Sequence, residues 1–451
     1  MPTRPPVAPG SFLLGSVPDL RAGLLPLLER LFTEHGDVVR LRLGPPRAGR
    51  ELTFTFHPDA TRQILAGNAA NYRKDNVNYD ELRAAVGDGL LTSQDERWTR
   101  QKRFLQPLFT ARRVAGYAIG MGVETEALIR EWHDHPAGAR DMHAAMTALS
   151  LRVACRVLFG DDAWHVLPVV QRWVEPVSHA IRDRALAPVR FPRSWPLPAN
   201  RTISRGRRAF FDACDRIVAH RRSHGTSADD MLGLLVDTRE DGVPLSDADI
   251  REQVLVFLLA GHETTATALT YAIHLLGRHH DVQDRVRAEA DAVGGVPTAE
   301  QAAGMAYTIM TVKETMRLYP SAPVIGRRCT ADDEIGGHLI TAGSDVLVAP
   351  WITHRHPEFW PAPLTFDPAR FEPARERARH RYAWHPFGGG PRACIGQHFS
   401  MLEATIVLAG LVREFEFDSP AEVPPYRSDV TLRPVSGAPV EVRPRRVTAT
   451  P

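Results

Sequence analysis

The sequence predicts a mainly α-helical protein with minor β-sheets. Three features lead to this. One helical pattern covers residues 246–278, well beyond the length of an ordinary globular helix. Alternating apolar residues, the mark of half-buried strands, are confined to short pieces at 38–43 and 52–56 and between about 320 and 350. The 451 residues are 43% hydrophobic and 24% charged, an ordinary globular composition, with no repeat or linker that would divide them. One domain over 1–451 is therefore expected, with its β-containing parts at about 1–70 and 320–350 and helix in the remainder.

Bulk properties exclude several classes. A net charge of +2 is too close to neutral for a nucleic-acid binder. The four cysteines, Cys155, Cys214, Cys329 and Cys394, are far apart and contain no CxxC pair, which argues against a disulfide framework or a zinc site and for a reducing compartment. The N-terminus shows no signal-peptide pattern, and the clean apolar run at 254–260 is far too short to span a bilayer. A cytoplasmic monomer without a membrane anchor is the expectation.

In chain order, 20–36 carries a helical pattern, 38–43 and 52–56 read as strands, and the polar 68–93, with Gly87 and Gly89, reads as a long loop. Helices are expected over 94–109, 142–159 and 164–184. Pro188, Pro192, Pro196 and Pro198 break helix between 188 and 200, making that segment either a plain hinge or a lid over a substrate entrance. Ser246, with Asp249 three residues on, caps the long helix. Gly261, Thr264 and Thr265 are poor helix formers at its centre, so a local distortion is expected there. A helix over 303–318 follows, then strands to about 350 and an ordered coil over 357–391. An amphipathic helix begins near Gly396 with Phe399, Leu402 and Ile406 on one face.

The segment from Phe387 to Gly396 carries the most chemistry. Gly388, Gly389 and Gly390 let the backbone turn sharply and approach a flat ligand closely. Cys394 stands just before a helix start, where unpaired N–H groups and the positive end of the dipole favour a thiolate. Gly396 leaves room above the sulfur, and Arg392 can reach an anionic group through charge-assisted hydrogen bonds. One thiolate, a flat face and a cation beside it suit haem.

Phe387, Gly390, Arg392, Cys394 and Gly396 match the FxxGxRxCxG loop of cytochromes P450 at every defined position, and the chain resembles that family over nearly its whole length. The resemblance implies the cytochrome P450 fold with Cys394 as axial ligand of haem b iron, and Phe387, Gly388 and Gly396 against the cofactor. Ala260, Gly261, His262, Glu263, Thr264 and Thr265 match the family's oxygen-binding segment. Ala260 and Gly261 are then expected beside the haem, with Thr264 and Glu263 as the catalytic residues that deliver protons to bound O2. The His262–Glu263 pair does not make a zinc peptidase motif, because Ala266 stands where HExxH needs its second histidine. Glu314, Arg317 and Arg370 match the family's ExxR and downstream arginine, a structural triad. Trp98 and Lys102 occupy its WxxxR positions, with Arg103 as alternative to Lys102. Arg327 matches a further propionate-binding arginine, with Arg328 as alternative.

The resemblance implies a haem-thiolate monooxygenase that inserts one oxygen atom from O2 into a hydrophobic small molecule. Leu259, Ala322, Val324 and Ile325 are the expected substrate contacts, and a terpenoid or polyketide secondary metabolite is the expected class. Electrons would come from NAD(P)H through a separate ferredoxin or flavodoxin and its reductase, with no reductase domain fused. Arg100, Lys102, Arg103, Arg112 and Arg113 are candidates for the docking face. The alternatives are oxidative coupling or cyclisation on the same iron, a peroxygenase, and a haem sensor or carrier without turnover.

Overall fold

The computed structural model describes residues 2–46, 49–135, 138–160, 166–185, 187, 191–224, 230–240, 242–428 and 430–445. Helix dominates, and the helix Asp247–Leu276 organises the rest. It starts where Ser246 Oγ accepts from the Asp249 amide at 3.1 Å. Leu255, Leu258 and Leu269 on it are fully buried, each stabilising the fold by roughly 1.5–3 kcal/mol. A helix apolar on nearly all sides must be enclosed by protein. Here Met142–Phe159, Pro198–His224, Ala306–Leu318 and Gln397–Glu414 pack around it.

The main sheet has five strands in the order Val38–Leu43, Arg50–Thr55, Asp345–Val348, Ile325–Cys329, Tyr72–Arg73. Asp345–Val348 runs parallel to Arg50–Thr55, and the other pairs are antiparallel. Because strand side chains alternate, Ile325 and Arg327 share a face. A smaller sheet pairs Phe415–Asp418, Pro439–Pro444 and Gly138–Asp141. The hairpin of Tyr426–Ser428 and Leu432–Pro434 stands apart from both.

Several expectations are corrected. Residues 20–36 form two helices, Val17–Ala22 and Leu24–His35, divided at Gly23. Residues 303–318 likewise divide at Met305 into Ala299–Gly304 and Ala306–Leu318. Within 68–93 lies a helix, Val77–Val86, capped by the Asn76 side chain and stopped by Gly87 at φ 89°. The helix Ala111–Asp134 had no counterpart in the sequence reading. The expected distortion at 260–265 is absent as a break: the long helix is continuous there. Of the proline segment, 188–190 lie outside the described residues, and 191–197 form turns before Pro198–His224 begins. Met142–Phe159, unlike the short run at 254–260, is long and apolar enough to cross a bilayer, and 61% of it is buried inside the fold.

Burial of a carboxyl group in this helical core has a measurable consequence. Glu403, on Gln397–Glu414, is 1% exposed, and its Oε1 has no partner among the described residues. Burial pushes its pKa up to about 8, offset only in part by the Ser150 hydroxyl. A carboxyl whose folded pKa is raised binds more protons folded than unfolded between the two values. Stability is therefore lost as pH rises from about 4.5 to about 8. Glu403→Gln should remove this loss, on the order of 3–5 kcal/mol, seen as a denaturant midpoint that falls less from pH 5 to 8 than that of the wild type. His274 and His385, which burial lowers to about 4, act in the opposite sense. They are common to both proteins and cancel in the comparison.

Candidate active site

The loop ahead of Gln397–Glu414 folds as its glycines require. Gly388 and Gly390 sit at φ 69° and 64°, in the left-handed region that glycine tolerates. A Cβ at Gly390 would lie 1.9 Å from the Leu65 carbonyl oxygen. The Cys394 amide closes the loop by donating to the Phe387 carbonyl oxygen at 2.9 Å. The sulfur is enclosed by protein but faces a cavity of about 670 Å³. Burial pushes the thiol up, while the Gly396 amide and the Lys74 charge pull it down.

Lys74, Lys102, Arg327 and Arg392 all line this cavity, and among the described residues no Asp or Glu does. Lys74 Nζ donates to the Leu91 carbonyl oxygen at 3.1 Å and Lys102 Nζ to that of Pro391 at 2.9 Å. Arg392 donates to the Ser93 carbonyl oxygen at 2.9 Å and to Gln94 Oε1 at 3.0 Å, and lies over the Trp98 ring. Arg327 reaches the Tyr79 hydroxyl at 3.4 Å. Among the described residues none of the four pairs with a carboxylate. Burial, and then the charges of Arg327 and Arg392, hold Lys74 well below the usual lysine range. Burial and then Arg327 lower Arg392 to about 10. This cluster lacks an anion. A flat dianionic ligand that also takes a sulfur supplies it, so the residues fit haem, with its two propionates toward the cations.

Two open choices narrow. Lys102 faces the cavity while Arg103 is exposed outside it. Arg327 faces it while Arg328 pairs with Asp345 at 3.0 Å. Lys74 and Tyr79 were missed, since a lysine in a polar stretch gives no signal until the fold carries it inward. Phe387, Gly388, Gly396 and Trp98 are also at the cavity wall.

To the same cavity as Cys394 the long helix presents Ala260, Gly261 and Thr264. A Cβ at Gly261 would meet nothing within 4 Å, so this turn faces open space. Thr264 Oγ1 donates to the Ala260 carbonyl oxygen at 2.8 Å. A second cavity, about 1150 Å³, adjoins the first. Ala260, Thr264, Ala322 and Ile325 line both, whereas Leu259, Val324 and Glu263 line only the larger. Glu263 Oε2 accepts from Thr431 Oγ1 at 3.1 Å, a contact absent from the sequence reading.

Glu314, Arg317 and Arg370 come together in one cluster. Arg317 donates to both Glu314 oxygens at 2.7 Å, and Arg370 Nε lies 3.4 Å from Glu314 Oε1. Of the basic residues considered for docking, Arg100 is engaged by Glu240 and Asp249 and Lys102 points inward. Arg103, Arg112 and Arg113 remain exposed.

Comparison with known proteins agrees with this geometry. The family model described as Cytochrome P450 matches residues 5–439. Cyclooctat-9-en-7-ol 5-monooxygenase of Streptomyces melanosporofaciens is 35% identical over 415 residues, 89% of this chain and 87% of that protein. Cyclooctatin synthase of the same organism is 35% identical over 420 residues, 91% and 86% of the two chains. Pentalenene oxygenase of Streptomyces avermitilis is 31% identical over 417 residues, 92% and 89%. The crystal structure of the cytochrome P450DA heme domain superposes with a TM-score of 0.88 at 26% identity, covering 99% of this chain and 98% of the other.

Proposed function

Because the chain belongs to the cytochrome P450 family and is a monooxygenase of it, we propose that it oxidises a cyclic terpenoid of secondary metabolism. The observation that carries the reading is the junction of the two cavities. A large space walled by Leu82, Val86, Val174, Val177, Ile181 and Val324 opens past Thr264 onto the space that Cys394 faces. These aliphatic side chains suit a bulky hydrocarbon skeleton, and the polar groups on the same wall, among them Asn78, Arg182, Asp183 and Arg427, would orient it. The names of the relatives point the same way, to cyclooctat-9-en-7-ol and pentalenene.

Haem, when bound, supplies the activation of dioxygen and the transfer of one oxygen atom to a C–H bond. The chain supplies the rest. Cys394 would hold the iron through its sulfur, and Arg392, Lys102, Arg327 and Lys74 would hold the propionates. Thr264 Oγ1, at the boundary of both cavities, would hand a proton into the space that Cys394 faces, and Glu263 would replenish it from the larger cavity. The aliphatic walls of the larger cavity exclude bulk water once substrate fills it. The exposed Arg103, Arg112 and Arg113 form the face for an acidic ferredoxin or flavodoxin, fed by its NAD(P)H reductase. Coupling or cyclisation differs from hydroxylation by product mass. The named oxygenase relatives set aside a carrier without turnover.

Cyclooctat-9-en-7-ol serves as probe. It should bind with a substrate-type spin-state shift, and no shift with this or pentalenene would remove the terpenoid reading. Thr264→Ala should leave that binding within about threefold while product per NAD(P)H falls about tenfold or more. Unchanged coupling would show that the proton passes through other groups.

A further inference from the structure

Glu263 is held in place by a structure built around it. Leu432, fully buried at the start of the second strand of the Tyr426–Ser428 and Leu432–Pro434 hairpin, is pinned on two sides. Its amide donates to the Ser321 carbonyl oxygen at 2.9 Å, and its carbonyl oxygen accepts from Thr267 Oγ1 at 2.9 Å. Thr267 Oγ1 also bonds the Glu263 carbonyl oxygen at 2.9 Å, and Ser321 Oγ donates to that of Thr264 at 2.7 Å. The hairpin is thus fastened to the very turn of the long helix that carries Glu263 and Thr264. Thr431 directly precedes Leu432, so its hydroxyl is delivered to Glu263 Oε2, and Oε1 makes no hydrogen bond among the described residues.

We propose that Thr431 is a positioning residue for Glu263. Its hydroxyl holds one carboxylate oxygen against the hairpin and leaves the other facing the larger cavity, from which it can serve Thr264. This rests on the proton-relay reading of Glu263 given above. A hydroxyl donating to one carboxylate oxygen fixes how the group is turned, so Thr431 sets where the carboxylate stands and which oxygen stays free. The other titratable and charged groups around it are His262 beside it, His143 on Met142–Phe159, Arg433 paired with Glu175, and Arg427, Arg182 and Asp183 along the cavity wall. All of these are unchanged by substitution of Thr431, so a difference from wild type isolates the hydroxyl.

Difference infrared spectra between the holoenzyme and its Glu263→Gln variant give the Glu263 carboxylate band. Thr431→Val should shift that band, because one carboxylate oxygen loses its hydroxyl donor. It should also raise hydrogen peroxide released per NAD(P)H about threefold or more, with the spin-state shift for cyclooctat-9-en-7-ol retained. Thr431→Ser should restore both. An unmoved band in Thr431→Val, or one that Thr431→Ser fails to restore, overturns the proposal. If Glu263→Gln itself leaves coupling at the wild-type level, the relay reading falls instead, and the infrared band still decides whether Thr431 holds the carboxylate.

Discussion

Cys394→Ser should yield a folded protein whose reduced carbonyl complex lacks the red-shifted Soret band of sulfur-ligated iron and whose monooxygenase turnover is lost. The drop should exceed the roughly 100-fold that removal of an outer partner of a metal ligand costs. Serine keeps the volume and the loop, since Gly390, Gly388 and the Cys394 amide bond to Phe387 set the backbone without the sulfur. What it would remove is the polarisable thiolate that would hold the iron and supply electron density to it. No other cysteine can substitute. Burial pushes Cys155 and Cys214 up to about 12, and the Cys329 thiol bonds the Ala331 carbonyl oxygen at 2.8 Å. The cationic cluster of Lys74, Lys102, Arg327 and Arg392 is untouched, so haem should still be retained in part. A variant that kept the red-shifted band would show that another residue ligates the iron, and the assignment of the site would fall.

The parts of this molecule legible in sequence are those that local chemistry specifies. Ser246 and Asp249 announce the start of the long helix, and the helix begins there. The glycines ahead of Cys394 announce a tight loop, and Gly390 has a positive φ with no space for a side chain. What was not legible depends on partners remote in the chain. Val77–Val86 is polar, and its burial is made possible by Arg184, which bonds Glu81 at 2.7 Å across 103 residues. Lys74 becomes part of the cavity because the fold turns it inward beside Arg327 and Arg392. Thr431 is informative only once Leu432 is fastened to Thr267 and Ser321. The weak helix formers at 261–265 misled in the other direction. The Thr264 hydroxyl folds back onto Ala260 and the Thr265 hydroxyl meets Ser400 Oγ at 3.1 Å on Gln397–Glu414, and this flanking packing keeps the helix continuous.

Arg317→Met should destabilise the protein by about 3–5 kcal/mol, a large part of the roughly 5–15 kcal/mol that holds a domain folded. Arg317 is fully buried, and besides Glu314 it serves the carbonyl oxygens of His354, Pro363 and Thr365 at 2.9, 2.7 and 3.1 Å. Its removal leaves three acceptors without a donor and a buried carboxylate whose remaining cation, Arg370, lies at 3.4 Å. Lysine cannot rescue it, because one ammonium cannot reproduce the fork that meets both Glu314 oxygens. Most of the cost is the stranded charge, so Arg317→Met combined with Glu314→Leu should unfold at a higher urea concentration than Arg317→Met alone. The damage should also reach the cysteine. His354, held by Arg317 through its carbonyl oxygen, accepts the His385 amide on Nε2 at 2.9 Å, two residues before Phe387 opens the ligand loop. Loosening Arg317 therefore loosens the floor of that loop, and the thiolate-type Soret band should give way at a lower urea concentration than the far-ultraviolet signal of the helices. Coincident transitions, or a single variant as stable as the double one, would show that the triad does not hold the cysteine side of the fold.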